Sequence, residues 1–285
     1  MPRRPAKSSR RGQIPAWPER QLSDILPWER SFRTRRDCGR SEFFLWRRIS
    51  RASIASNDRN NGLQCMDSKA VNKEIRARIW PLLKDIGFSR FTPRTAWRYR
   101  GDKIDVLNFQ SFNSYNASVL GITSFSFCVN LGSYLNYVPS KWPVKVKDGQ
   151  PIPNEAECHF RRRLMRSVTS LGKEHADIWN VDEQGRNLLW CIQDVAEQLP
   201  DVEAWFDRLA DKSEVLAILL NQDEDMNVLW GFGRNPSPSR SYLAGYVALA
   251  AGRLDLARMK LEEAVQSNCF KEQFGDVDSA IRRAI

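Results

Sequence analysis

Residues 95–112, TAWRYRGDKIDVLNFQSF, and 124–136, SFSFCVNLGSYLN, decide the fold. Both stretches alternate with a period of two, and Gly101-Asp102 interrupts the first where a two-residue hairpin turn belongs. Leu107 and Phe109 then share one side of a strand, and Phe125, Phe127, Val129 and Leu131 share one side of another. Val106, Asn108 and Gln110 fall on the opposite side, beside Ser126, Cys128 and Asn130. The second face is therefore predicted to be the more polar one, as antiparallel sheets commonly cover one face and wet the other.

What covers the apolar face stands just upstream. In residues 68–86, Val71, Ile75, Ile79, Leu82 and Ile86 recur at spacings of three and four, the signature of a helix with one apolar stripe. Asp67 or Ser68 supplies the N-cap, Pro81 is expected to kink the helix, and Gly87-Phe88 reads as a Schellman stop. Downstream, a Pro- and Lys-rich loop (138–153) leads to ECHFRRRLMRSV. There Cys158, Phe160, Arg162 and Leu164 alternate with His159, Arg161, Arg163 and Met165, which predicts a further strand. Helical periodicity follows at 188–199 and, after a break at Pro200, at 202–209 and 213–221. The fold class is α+β: an antiparallel sheet packed by an N-terminal helix, followed by a C-terminal helical region.

The segment 241–266 predicts two helices joined near Gly252-Arg253. Gly245, Gly252, Ala257, Leu261 and Ala264 fall where a tetratricopeptide hairpin wants its small and apolar residues, and the stretch resembles one such hairpin. The period does not recur upstream, so no solenoid is implied.

Charge divides the chain. The net charge is +10, yet residues 1–65 hold 15 Lys and Arg against 6 Asp and Glu. That leaves 29 basic and 28 acidic residues for the rest, a domain without a global basic footprint. Residues 1–65 are expected to be a disordered leader, since Arg, Ser and Pro dominate and only Phe43-Phe44-Leu45-Trp46 and Ile49 form an apolar patch. Three readings of the leader stay open: an over-extended start ahead of Met66, a basic arm that binds nucleic acid through Arg3, Arg4, Arg10 and Arg11, or a targeting or membrane-surface peptide. The domain division is then 1–65 leader, 66–221 α+β domain and 222–285 C-terminal helical region.

Six cysteines at 38, 65, 128, 158, 191 and 269 are too far apart for a CxxC knuckle or a compact disulfide framework, which points to a reducing, cytoplasmic setting. No window reads as a membrane span. No cofactor or metal is expected. Cys158 and His159 would face opposite ways on a strand; Asp223-Glu224-Asp225-Met226-Asn227 lacks the glycine and glutamate of a calcium loop. Gly231-Phe232-Gly233 and Gly172-Lys173 lack the further glycines of a nucleotide site. Cys128 or Cys191 with His175 leaves a nucleophilic pair open, against the ordinary reading of each cysteine as a small buried apolar residue.

The order LLKDIGF, RTAWRYRGD, VLNFQSF, FCVNLGSYL, CHFRRRL and DIWNV resembles the bacterial DUF4304 family over about 66–215. The resemblance implies an α+β fold and a cytoplasmic bacterial protein, and it implies no activity. The candidate site is the polar sheet face, where Asn108, Gln110 and Asn130 are expected to converge with Arg162. Three functions are open. The first is a non-enzymatic module that binds a partner protein or polar ligand. The second is an enzyme that grips an anionic substrate through Arg162 and the amides. The third is nucleic-acid binding through the leader.

Overall fold

The computed structural model describes residues 66–140, 143–167, 175–221 and 237–284. The leader with its expected disorder, the 223–227 acidic loop, Gly231–Gly233 and Gly172-Lys173 lie outside the described residues.

Helix α1 (Ser68–Asp85) begins where Asp67 accepts the backbone N–H groups of Lys69 and Ala70, both at 2.9 Å, and it runs on through Pro81. It stops in the predicted Schellman turn. Phe88 N–H returns to Leu83 O, Gly87 N–H returns to Lys84 O, and Gly87 takes φ 92°. Val71, Ile75, Ile79, Trp80 and Leu83 are its buried stripe.

That stripe faces a five-stranded antiparallel sheet in the order β1-β2-β3-β4-β7, made of β1 (Arg90–Phe91), β2 (Thr95–Arg100), β3 (Lys103–Ser111), β4 (Phe127–Leu135) and β7 (Phe160–Arg163). Gly101, at φ 50°, turns β2 into β3 so that Arg100 pairs with Lys103 and Arg98 with Asp105. Between β3 and β4, Leu107 pairs with Leu131 and Phe109 with Val129. These residues and Phe127 sit in the core as predicted, with Trp80 meeting the Phe109 ring edge-on at 5.7 Å.

The opposite face is only partly polar. The segment 138–153, expected as a plain loop, contains a small hairpin, β5 (Val146–Lys147) with β6 (Gln150–Pro151), and a 3-10 turn (Glu155–Glu157) follows it. This segment folds over the turn end of that face. Trp97 Nε1 donates to Pro153 O and Tyr99 OH to Pro151 O, and Trp97, Ile104, Val106, Tyr134 and Cys158 form a second apolar cluster. Gly132 is needed beneath it, because a Cβ there would lie 2.6 Å from Cys158 Sγ. The other end of the face carries the amides and is the more open one, with Gln110 exposed and Asn108 half-buried above buried Cys128 and Asn130.

Helices α2 (Ser114–Leu120), α3 (Leu188–Glu197), α4 (Leu199–Arg208), α5 (Lys212–Asn221), α6 (Pro238–Ala250), α7 (Leu254–Gln266) and α8 (Val277–Arg282) complete the described fold. Pro200 occupies the first turn of α4, where its missing N–H costs nothing. The α6–α7 hairpin crosses at Gly245, whose absent side chain admits Leu261. Tyr242 OH donates to Pro139 O beyond β4, and one apolar cluster runs from Val71 to Ala280. Among the described residues no helix is long and apolar enough to cross a membrane.

Candidate functional site

Strand register decides which side chains meet. Asn108 lies opposite Asn130, Gln110 opposite Cys128, and Asn130 opposite Arg163. Asn108, Gln110 and Asn130 therefore share the open face as predicted. Arg162 does not. It pairs with Leu131, on the face turned toward α1, between Phe160 and Leu164 in sequence, and it is exposed. The arginine that joins the amides is Arg163, one residue on, because alternation from buried Phe160 and Leu164 puts odd-numbered residues of β7 on the open face.

The amides are linked in a chain. Arg163 Nε donates to Asn130 Oδ1 at 2.8 Å, Asn130 Nδ2 donates to Gln110 Oε1 at 2.9 Å, and Arg163 Nη1 pairs with Asp177 at 2.8 Å. Chemistry fixes the direction of this chain. A guanidinium only donates, so Asn130 must offer it the oxygen, which leaves its NH2 for Gln110 and forces Gln110 to offer its own oxygen. Gln110 Nε2 is thereby turned outward. Asn108 Nδ2 donates to Thr95 Oγ1 at 2.8 Å on β2. Asn130 is 5% exposed and acts as the post; Gln110 is exposed at the surface. With Asp177 beside Arg163, the patch is neutral.

A second polar cluster, unforeseen from the sequence, lies on the covered face. Asp105, fully buried, receives Arg98 Nε at 3.0 Å and Lys103 Nζ at 2.8 Å. Arg98 Nη1 also donates to Ile86 O at the end of α1, and Lys103 Nζ to Phe206 O in the last turn of α4. The Arg98 guanidinium lies against both the Phe88 and Phe206 rings, 5.1 and 5.3 Å from their centroids. Burial pushes the Lys103 ammonium down, against the pull of Asp105. Glu203 and Asp207 close the cluster on α4, meeting Arg98 and Arg100. The signal was in the sequence: a two-residue turn at Gly101-Asp102 sets Arg98 directly opposite Asp105.

The three buried thiols and the His159 imidazole are structural groups. Burial pushes the Cys128 thiol up to about 11 and the Cys191 thiol up to about 12, and drives Cys158 well above its ordinary value. A catalytic thiol needs the opposite shift. His159 packs on Tyr134, its Nδ1 accepts the Leu135 N–H at 2.9 Å, and burial lowers its pKa to about 4. Asp194, buried on α3, accepts Trp179 Nε1 at 2.8 Å and the Ser167 hydroxyl, which pins Trp179 against Phe127 in a stack at 5.8 Å. Among the described residues no group of three or more His, Cys, Asp or Glu is placed to hold a metal ion.

No curated protein and no solved structure matches the chain. The model of the family described as "Domain of unknown function (DUF4304)" matches residues 71–208. That span opens within α1 and closes at the last residue of α4. It takes in the whole sheet, the amide chain and the buried ion cluster, so the chain carries a DUF4304 domain over residues 71–208.

Proposed function

We propose that this chain is a non-catalytic binding module, working in a bacterial cytoplasm, whose recognition surface is the open sheet face bearing Asn108, Gln110, Asn130 and Arg163. One observation carries the reading: a directed chain of hydrogen bonds from Asp177 through Arg163 and Asn130 to Gln110 holds its members in set orientations across three strands. Preorganised polar groups on rigid strands cost little ordering entropy on binding. The raised thiols of Cys128, Cys158 and Cys191 argue against nucleophilic chemistry, and their free, buried state suits a reducing compartment.

The test is a thermal-shift screen of neutral polar ligands on the full chain and on Asn130→Ala. A ligand at a hundred times its Kd stabilises its target by about 2.7 kcal/mol. Stabilisation that Asn130→Ala abolishes supports the reading; stabilisation by anions alone, unaffected by Asn130→Ala, refutes it. The net charge of the 1–65 segment favours a second, separable reading, nucleic-acid binding through the leader. It requires that deletion of 1–65 abolish affinity for DNA or RNA and that binding fall steeply with salt.

A further inference from the structure

Resting on that binding surface, we propose that its ligand is the backbone of an uncharged, extended peptide segment of a partner protein. The argument starts from the hydrogen-bonding capacity that the chain of amides leaves unspent. Arg163 uses Nε and Nη1 and keeps Nη2; Gln110 uses Oε1 and keeps both Nε2 protons. Asn108 uses Nδ2 and keeps Oδ1, and Asp177 keeps its second oxygen. None of these unspent atoms is among the buried side-chain atoms left without a partner, and Gln110 is exposed. Two donors and two acceptors thus remain on a neutral patch. That is the complement of a peptide group, which offers one acceptor and one donor of no net charge.

Spacing selects an extended backbone over other neutral polar ligands. Asn108 and Gln110 are two residues apart on β3, so their side chains stand roughly 7 Å apart along the strand. In an extended peptide the groups on one edge repeat at the same interval of roughly 7 Å. One peptide group therefore addresses Gln110 as the next addresses Asn108, with Arg163 in the Asn108 row. Charge selects against an acidic segment, because Asp177 already neutralises Arg163 at 2.8 Å. An apolar side chain on the peptide has a place to go. Met165 follows Arg163 by two residues and is 54% exposed, and an exposed flexible thioether suits variable side chains.

The experiment uses the full chain labelled with nitrogen-15 and follows the side-chain NH2 resonances of Asn108 and Gln110. Three probes are titrated: acetyl-Thr-Val-Thr-Val-Thr-amide, its counterpart with Glu in place of Thr, and maltotriose. The proposal expects the uncharged peptide to shift both resonances in the native chain. It also expects Gln110→Glu, a surface substitution that replaces the outward donor by an acceptor, to weaken that binding at least tenfold. Asn130→Ala, which releases Gln110 from its orientation, is expected to weaken it as strongly. Tighter binding of the acidic peptide, shifts caused by maltotriose alone, or equal binding by Gln110→Glu each overturn the peptide assignment while leaving a binding surface. If no probe moves either resonance, the binding reading and the peptide assignment fall together.

Discussion

His159 makes the fold sensitive to acid in a way that can be isolated. Its imidazole accepts the Leu135 N–H at 2.9 Å through Nδ1 and is enclosed, so the neutral form is the one that the fold tolerates, and its pKa falls from 6.5 to about 4. Above pH 6.5 the ring is neutral whether the chain is folded or not, and no penalty exists. Between pH 6.5 and 4 the unfolded chain binds a proton that the folded chain refuses, so stability is lost as pH falls through that window. Integrated from pH 7.5 to 4.5, the loss from this one group reaches about 2.5 kcal/mol. Partial exposure of the residue screens the effect, so about 1 to 2.5 kcal/mol is the expected span. The assay is urea denaturation at four pH values, comparing the native chain with His159→Asn, whose Oδ1 stands where Nδ1 accepts the Leu135 N–H. Other titrating groups cancel in the difference. The native chain must lose more stability than His159→Asn on acidification; a difference that stays constant from pH 7.5 to 4.5 refutes the reasoning.

Three further outcomes follow from the packing. Asp105→Ala strands Arg98 and Lys103 without their buried counter-charge and is expected to cost about 3–5 kcal/mol in a urea titration. Replacing Arg98, Lys103 and Asp105 together by Met, Met and Leu is expected to cost far less than that single change. Gly132→Ala drives a Cβ to 2.6 Å from Cys158 Sγ and is expected to lose about 1–3 kcal/mol, part of which Cys158→Ala recovers. In a Cys38→Ser, Cys65→Ser variant, Ellman's reagent is expected to titrate one thiol of the native chain, exposed Cys269; buried Cys128, Cys158 and Cys191 react once urea opens the core.

Elements that bury a long periodic stripe were legible in the sequence: α1 with its cap and Schellman stop, β2 to β4, and the helices from α3 to α7. The pieces that escaped are short and held by tertiary contacts. Strand β1 and the β5–β6 hairpin have two residues per strand, and α2 buries only Ala117, so none carries a period to read. The misplacement of Arg162 has a different cause. Phe160 and Leu164 flank it at two-residue spacing and both face the core, so alternation alone assigns Arg163 to the open face. Cys158, expected in the strand on the same side as Phe160, lies elsewhere. It precedes the strand and belongs to the cluster over Gly132, on the opposite side from Phe160. The period of two thus brings Asn108, Gln110 and Asn130 to one face, and the register sets Arg163 beside them where Arg162 was expected.

The sheet buries three full charges, Arg98, Lys103 and Asp105, on its covered face, the reverse of what hydropathy alone predicts. Helix ends explain the inversion. Helix α1 runs out at Ile86 and α4 at Arg208, each with carbonyl groups that the helix itself cannot satisfy, and each meets the β2–β3 hairpin. Arg98 and Lys103 donate to Ile86 O and Phe206 O, where the helix dipole favours a cation. Two buried cations then require a buried anion, and Asp105 stands beside both. The charges on that face are therefore accounted for by docking of the two helices, with Arg98 Nη2 left buried and without a hydrogen-bond partner. Nothing in the packing makes a comparable demand on Asn108, Gln110 and Asn130, whose partners are one another, Thr95 and Arg163. Substitutions in the ion cluster should accordingly be read in stability, and exposed Gln110 in binding, so the two faces can be assayed separately in one and the same chain.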